Sequence, residues 1–181
     1  MFCIKKPFLL HMSHINIEIK ARCDNPEKIR DILKLNSADF KGMDHQIDTY
    51  FKVDFGRLKL REGNIENYLI FYDREDENGP KQSNVSLFKN STDSSLKEIL
   101  EKSLGILVVV DKKREIYFIE NVKFHIDIVE KLGTFIEIEA IDEDGSVGKE
   151  KLLEQCNNYL NLFGISKEGL VPVSYGDLLF K

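Results

Sequence analysis

The chain has 181 residues, 42 % of them hydrophobic and 31 % charged, with a net charge of −5. That supplies one domain with a sizeable core, and the mild acidic balance gives no global pull toward nucleic acid or an anionic membrane. Cys3, Cys23 and Cys156 are far apart and the four histidines lack ligand spacing, so the pattern reads as reduced thiols of a cytoplasmic protein instead of a disulfide framework or zinc site.

The apolar run Phe8-Leu9-Leu10 is too short for a signal-peptide core, and no small-residue cleavage site follows it. Residues 1–12 therefore read as a dispensable N-terminal extension, with Met12 as an alternative start, and residues 13–181 as a single domain. From Ile15 to Arg22, apolar Ile15, Ile17, Ile19 and Ala21 alternate with polar Asn16, Glu18, Lys20 and Arg22, the period of a strand. Asp24 or Asn25 can cap a helix with Pro26 in its first turn and Ile29, Ile32 and Leu33 on one stripe. Between about Gln46 and Tyr72 the spacing predicts strands broken at Gly56 and at Gly63-Asn64. The polar stretch 73–83, with Asn78-Gly79-Pro80, reads as a loop or wide turn.

Val85, Leu87 and Lys89 predict a further strand. Thr92 or Asp93 then caps a second helix, with Leu96, Ile99, Leu100 and Leu104 on one stripe and Gly105 as its stop. Strand patterns return over 106–110, 115–119, 122–129 and 134–141, with turns at Asn121 and at Lys131 to Gly133. Leu152, Cys156, Tyr159, Leu160 and Phe163 mark a third helix closed by Gly164, and the tail from Ser174 predicts a short terminal turn. Many short strands with few helices predict an α+β, mainly β, architecture: an antiparallel barrel or sandwich with helices outside.

Strand parity carries the functional signal. Five strands gather charge on one face: Glu18 and Lys20; Arg57, Lys59 and Arg61; Lys112 and Arg114; Lys123, His125 and Asp127; Glu137 and Glu139. Alternation alone also fits a solvated sheet face. Segregation by sign, with basic and acidic runs on different strands, argues against that, because like charges side by side on an outer face are disfavoured. The alternative closes the sheet with the charges inward. Such an interior is affordable only if water, metal and a polyanion share it.

The stretch Asn16-Ile17-Glu18-Ile19-Lys20 resembles the ExExK signature that opens CYTH domains, the family of class IV adenylate cyclases, thiamine triphosphatases and inorganic triphosphatases. The resemblance continues through Gly56-Arg57-Leu58-Lys59-Leu60-Arg61, Lys112-Lys113-Arg114, His125-Ile126-Asp127 and Phe135-Ile136-Glu137-Ile138-Glu139, and ends at Ser174-Tyr175-Gly176-Asp177. It is nearest to the adenylate-cyclase-like branch. It implies a closed eight-stranded antiparallel barrel forming a triphosphate tunnel, with helices packed outside.

By the same resemblance, Lys20, Lys59, Arg61, Arg74, Lys112, Arg114 and Lys123 bind substrate phosphates. Glu18, Glu137 and Glu139 hold Mg²⁺ or Mn²⁺, and with Lys20 they form the catalytic set. The implied activity is metal-dependent hydrolysis of a small triphosphate by a monomer, with adenylate cyclization or non-catalytic polyphosphate binding as alternatives. Asn16 stands where the signature has its first glutamate, giving a carbonyl oxygen without charge, and is expected to weaken or shift cation binding. For His125 the residues alone predict a hydrogen bond to Asp127 in preference to a base; for Tyr50 and Tyr175 they predict packing.

Overall fold

The computed structural model describes residues 14–73, 79–91 and 95–180. The expected extension 1–12, the candidate phosphate ligand Arg74 and the predicted caps Thr92 and Asp93 lie outside these residues. Among them, eight strands, β1 (His14–Arg22), β2 (Asp39–Phe51), β3 (Arg57–Glu62), β4 (Tyr68–Asp73), β5 (Lys81–Lys89), β6 (Ile106–Ile119), β7 (Val122–Val129) and β8 (Gly133–Asp142), close into a barrel in the order β1-β5-β4-β3-β2-β6-β7-β8. Every adjacent pair is antiparallel. The expected fold class is the one observed.

Among the described residues, four α-helices accompany the barrel: α1 (Pro26–Leu35), α2 (Leu96–Leu104), α3 (Lys149–Phe163) and α4 (Tyr175–Phe180). Asn25 caps α1, its side-chain oxygen accepting from the Lys28 amide at 3.1 Å, with Pro26 at the start where its missing N–H costs nothing. Gly164 ends α3 in the left-handed region at φ 69°.

Two strands are longer than their patterns predict. The runs 106–110 and 115–119 are one strand, β6, because the charged segment between them keeps the same period. Lys112 and Arg114 point inward and are buried, while Lys113 is exposed. Strand β2 begins at Asp39 instead of Gln46; its first half lacks apolar alternation and is held by pairing to β6, with a register shift between Phe40 and Gly42. Likewise β5 starts at Lys81, inside the predicted loop.

The main core lies outside the barrel wall. Ile17 and Ile19 of β1, Phe124 and Ile126 of β7, and Ile136 and Ile138 of β8 pack with Ile29 and Leu33 of α1 and Leu152, Cys156 and Phe163 of α3. These are the apolar faces of the alternating strands, so burying them outward turns the charged partners into the bore. Cys156 is fully buried in this core, as expected, and its thiol reaches the Ile17 carbonyl at 3.2 Å.

A second core fills one end of the bore. Tyr50, Val110, Val129 and Phe135, inward-facing on β2, β6, β7 and β8, pack against Val171 and Tyr175. The chain reaches that end because Leu170 bridges Ala21 and the Val171 amide donates to the Lys20 carbonyl at 2.8 Å. The predicted terminal turn is thus a short helix, α4, seated across the end of the barrel. The charged middle of the bore is a cup with an apolar floor.

Candidate functional site

The cup is a cavity of about 220 Å³. All the described residues expected to bind phosphate, Lys20, Lys59, Arg61, Lys112, Arg114 and Lys123, line it, together with the carboxylates Glu18, Glu137 and Glu139. Strand pairing brings them together. Lys20 lies opposite Glu137, and Glu18 opposite Glu139, across β1–β8. Lys123 and His125 lie opposite Glu139 and Glu137 across β7–β8.

The bore is polarised. At the β2–β3–β6 wall, one carboxylate, Asp48, is 1 % exposed and meets three cations. Arg61 grips it with Nε at 2.8 Å and Nη2 at 3.0 Å, Lys59 approaches to 3.0 Å and Lys112 to 2.6 Å. Burial alone would raise the Asp48 carboxyl, but Arg61, Lys112 and Lys59 outweigh it and hold the group well below the usual range. Lys112 shows the cost of this crowding: burial, with help from Arg61, Arg114 and Lys59, pushes it down to about 7 despite Asp48. With the Glu66 carboxylate that also meets Arg61, these three cations share two carboxylates, which leaves the wall short of anions.

At the centre, charges balance. Arg114 makes a bidentate contact with Asp127 at 2.7 and 2.5 Å and reaches Glu137 at 2.6 Å, while Lys20 contacts Glu137 at 3.1 Å. Tyr175 donates its hydroxyl to Asp127 at 2.7 Å, and its ring lies 4.0 Å beneath the Lys20 ammonium. Tyr50 and Tyr175 are therefore buried as expected, and Tyr175 is in addition a polar anchor.

The β1–β8 wall is acidic. Glu18 and Glu139 face each other there. Burial, with the neighbouring Glu137 and Glu66 carboxylates, pushes the Glu139 carboxyl up against the pull of Lys123. Asn16 donates its amide to Glu139. The residue that replaces the signature glutamate thus supports a carboxylate from β8.

The expected metal trio is not assembled as such. Among the described residues no group of three His, Cys, Asp or Glu side chains stands close enough to hold a metal ion. Glu137 is in addition engaged by Lys20, Arg114 and His125. Glu18 and Glu139 lie opposite each other across β1–β8. Two opposed acids in a partly dehydrated bore repel each other, and a hard cation with oxygen preference relieves that repulsion. The pair fits Mg²⁺ or Mn²⁺, which bind through one or two carboxylates and complete their shell with water and phosphate oxygens.

His125 also departs from expectation. Its Nδ1 lies 3.2 Å from Glu137 instead of bonding Asp127, which Arg114 and Tyr175 already occupy. A carboxylate only accepts, so Nδ1 carries the proton and Nε2 is left as a buried acceptor with no partner among the described residues. Burial first, then Arg114 and Lys123, pushes His125 down to about 3. The unfolded chain takes up this proton near pH 6.5 and the folded chain refuses it until about 3, so a contribution to stability present above 6.5 drains away as pH falls. Urea melts between pH 7 and 5 are expected to show stability falling with acidification. His125→Gln is expected to flatten that slope, by up to about 1.4 kcal/mol per pH unit.

Glu66 was invisible to sequence reasoning. It sits in the turn between β3 and β4, where no periodicity marks it. Two backbone amides, Ile65 and Glu66, donate to the fully buried Asp44 carboxylate at 2.9 and 3.0 Å. Gly63 permits this, since a Cβ there would lie 2.7 Å from an Asp44 oxygen. The turn so held drives Glu66 into the bore, where it contacts Arg61 at 2.9 Å, Gln46 at 3.0 Å and Lys123. Glu66 occupies two cations that a polyanion would otherwise meet. Glu66→Gln is expected to tighten inorganic tripolyphosphate by about tenfold, the worth of one charge-assisted hydrogen bond. Calorimetric titration measures it, and unchanged affinity would mean that Arg61 and Lys123 are structural only.

Fold and bore together define a closed antiparallel barrel built around a charged, ligand-sized cup. The CYTH domain model matches residues 14–175, and the chain belongs to that family. It is 30 % identical to a Methanocaldococcus jannaschii protein named as a candidate adenylate cyclase, the match covering 91 % of this chain and 98 % of that one. The Pyrococcus horikoshii protein PH1012 superposes with a TM-score of 0.74 at 25 % identity, over 90 % and 98 % of the two chains. A Hippeastrum protein, a candidate adenylyl cyclase with a dominant triphosphatase activity, shares the fold at a TM-score of 0.57 and 15 % identity, over 91 % and 94 % of the two chains. Among the described residues no helix is long and apolar enough to cross a membrane.

Proposed function

We propose that this protein binds and hydrolyses a triphosphate-containing small molecule, with Mg²⁺ or Mn²⁺, in the cup of the barrel. The polarised bore carries the reading: Lys59, Arg61 and Lys112 gathered on Asp48, with Glu66 also on Arg61, at one wall, and the opposed Glu18 and Glu139 on the other. A triphosphate brings several negative charges to the cation-rich wall. Arg61 gives it planar bidentate donors, while Lys59 and Lys112 give point charges.

Lys20 and Arg114, held in place by Glu137 and Asp127, form the middle of the clamp, and the fixed geometry spares reorganisation during the reaction. Glu18 and Glu139 would hold the metal, which supplies charge neutralisation at the phosphates and a lowered pKa for its water. In hydrolysis, water attacks the terminal phosphorus and the bond to the bridging oxygen breaks, with positioning and electrostatics providing most of the acceleration. The dominant triphosphatase activity named for the Hippeastrum relative supports this choice.

Adenylate cyclization is the second reading, favoured by the name of the Methanocaldococcus relative. There the ribose 3′-hydroxyl of ATP attacks the α-phosphorus and pyrophosphate leaves. One panel separates the readings: ATP, thiamine triphosphate and tripolyphosphate, each with Mg²⁺ and with Mn²⁺, scored for phosphate, pyrophosphate and cyclic AMP. Phosphate release is expected, and cyclic AMP as the main product would reverse the order. Binding is read independently by melting. A triphosphate with metal at about 100 times its dissociation constant is expected to stabilise the fold by about 2.7 kcal/mol, and an unmoved melting curve with every triphosphate would sink the proposal.

A further inference from the structure

A second cavity, of about 160 Å³, lies at the floor end of the barrel, where the end of β2, the loop 52–56 and the starts of β3 and β6 meet α4. Tyr50 lines both this cavity and the cup. Phe51, Leu58, Leu107 and Val108 give it an apolar wall, and Leu107 is 39 % exposed. An apolar wall costs free energy while it stays wetted. Lys52, Arg57 and Asp177 complete the lining, two cations with one carboxylate. One positive charge is left in excess, and a single anionic group balances it. The size suits a small body, since an apolar cavity of roughly 150 Å³ takes a benzene-sized molecule.

The carboxylate already present is part of the floor. Arg57 Nη2 lies 3.0 Å from Asp177 Oδ2, and both side chains are partly exposed, so a second anion can reach the pair. A guanidinium has five N–H donors, and sharing one between two carboxylates is common in this chain: Arg61 serves Asp48 and Glu66, and Arg114 serves Asp127 and Glu137. Asp177 also accepts from the Ser174 amide at 2.9 Å and the Ser174 hydroxyl at 2.7 Å, which fixes the first turn of α4. In that turn Tyr175 donates to Asp127, the carboxylate that grips Arg114 in the cup. Gly176 lies against Tyr50, since a Cβ there would come within 3.2 Å of the ring. A shift of α4 is therefore felt in both cavities.

We infer that this second cavity binds a small organic monocarboxylate with a compact apolar body, and that its occupancy is coupled to the cup through α4. The body lies on the Phe51, Leu58 and Leu107 wall, and the carboxylate sits between Lys52 and Arg57. There it shares Arg57 with Asp177 and loosens the pair that seats α4. The Tyr175 contact to Asp127 loosens with it, so Arg114 is held less firmly and triphosphate affinity falls. Coupling between two binding sites is reciprocal, so a triphosphate in the cup weakens the carboxylate by the same factor. The site itself stands apart from the triphosphate reading; only the coupling rests on it.

The probe is sodium benzoate, titrated calorimetrically into the wild type, Lys52→Ala and Leu107→Glu. Benzyl alcohol supplies the body without the charge, and sodium acetate the charge without the body. Benzoate is expected to saturate and to bind the wild type about tenfold tighter than either, the worth of one charge-assisted contact or of burying the ring. Lys52→Ala, at an exposed loop position, is expected to weaken benzoate by about threefold to tenfold. Leu107→Glu sets a carboxylate on the wall and is expected to abolish benzoate binding. Tripolyphosphate affinity with Mg²⁺ is expected to stay within about twofold in both variants. In the wild type, rising benzoate is expected to weaken tripolyphosphate by about fivefold and then to reach a plateau. Benzoate no tighter than benzyl alcohol or acetate, or benzoate binding that survives both variants, overturns the site. Weakening without a plateau overturns it as well, because that is direct competition inside the cup. Tripolyphosphate affinity unmoved by saturating benzoate overturns the coupling. Tripolyphosphate that fails to bind the wild type at all overturns the triphosphate reading and the coupling together, while the benzoate titrations still decide the site.

Discussion

Asp48→Asn is expected to destabilise the protein by about 3–5 kcal/mol, the usual cost of removing one partner from a buried ionic cluster. The substitution keeps the shape of the side chain and deletes the carboxylate that Lys59, Arg61 and Lys112 share at hydrogen-bond distance among the described residues. Lys112, already held near 7, is then pressed further toward its neutral form. Urea unfolding at pH 7 measures the loss. A second measurement ties the effect to the site. Tripolyphosphate should stabilise Asp48→Asn more than the wild type, because the added anion replaces the missing one. Stability within about 1 kcal/mol of the wild type would place the cluster outside the set of interactions that hold the barrel, since that lies well below the cost of an unpaired buried charge.

The second large effect is expected at Glu139. Glu139→Gln is close to isosteric and removes one of the two carboxylates suited to the metal. Turnover with Mg²⁺ is expected to fall on the order of 100-fold, the scale of losing one preorganised electrostatic group. Raising Mn²⁺ is expected to restore part of it, since mass action compensates weakened coordination. Arg61→Ala is expected to behave differently. It removes a guanidinium from the phosphate wall, so triphosphate affinity falls at every metal concentration and extra Mn²⁺ does not help. Steady-state titration of both variants against metal and substrate separates the two patterns. Identical metal dependence in the two variants would mean that the acidic and basic walls do not divide the work this way.

Glu137 clarifies why these walls are unequal. Strand pairing sets Glu137 and Glu139 on the same face of β8, two residues apart, yet their chemistry diverges. Burial would raise the Glu137 carboxyl, but Arg114 beside it and Lys20 opposite it hold the group well below the ordinary range. Glu139 is opposed to Glu18 and pushed the other way. A spacing of two residues puts both in the bore; only the neighbouring strands assign one to bracing cations and set the other opposite a second acid.

Strand parity was legible in the residues, whereas closure into a barrel was implied by the CYTH resemblance and is seen in the strand order, since alternation alone left barrel and sandwich open. Alternation has a period of two and is a local property of the backbone, so Ile17, Ile19, Ile136 and Ile138 pointing outward oblige Glu18, Lys20, Glu137 and Glu139 to point inward. The stripes of α1 and α3 were legible for the same reason, at the helical period. Which acid meets which base was not legible. Lys112 reaches Asp48 across 64 residues of chain, and Asn16 reaches Glu139 across 123. Such partners depend on register between distant strands, which no local pattern encodes. Glu66 was further out of reach, because a turn residue has no period, and its place in the bore is set by Asp44 and Gly63. The charged lining was thus written in the order of the residues. Its division into a cation-rich wall, a balanced centre and an acidic wall, above a floor made by α4, exists only where the strands close.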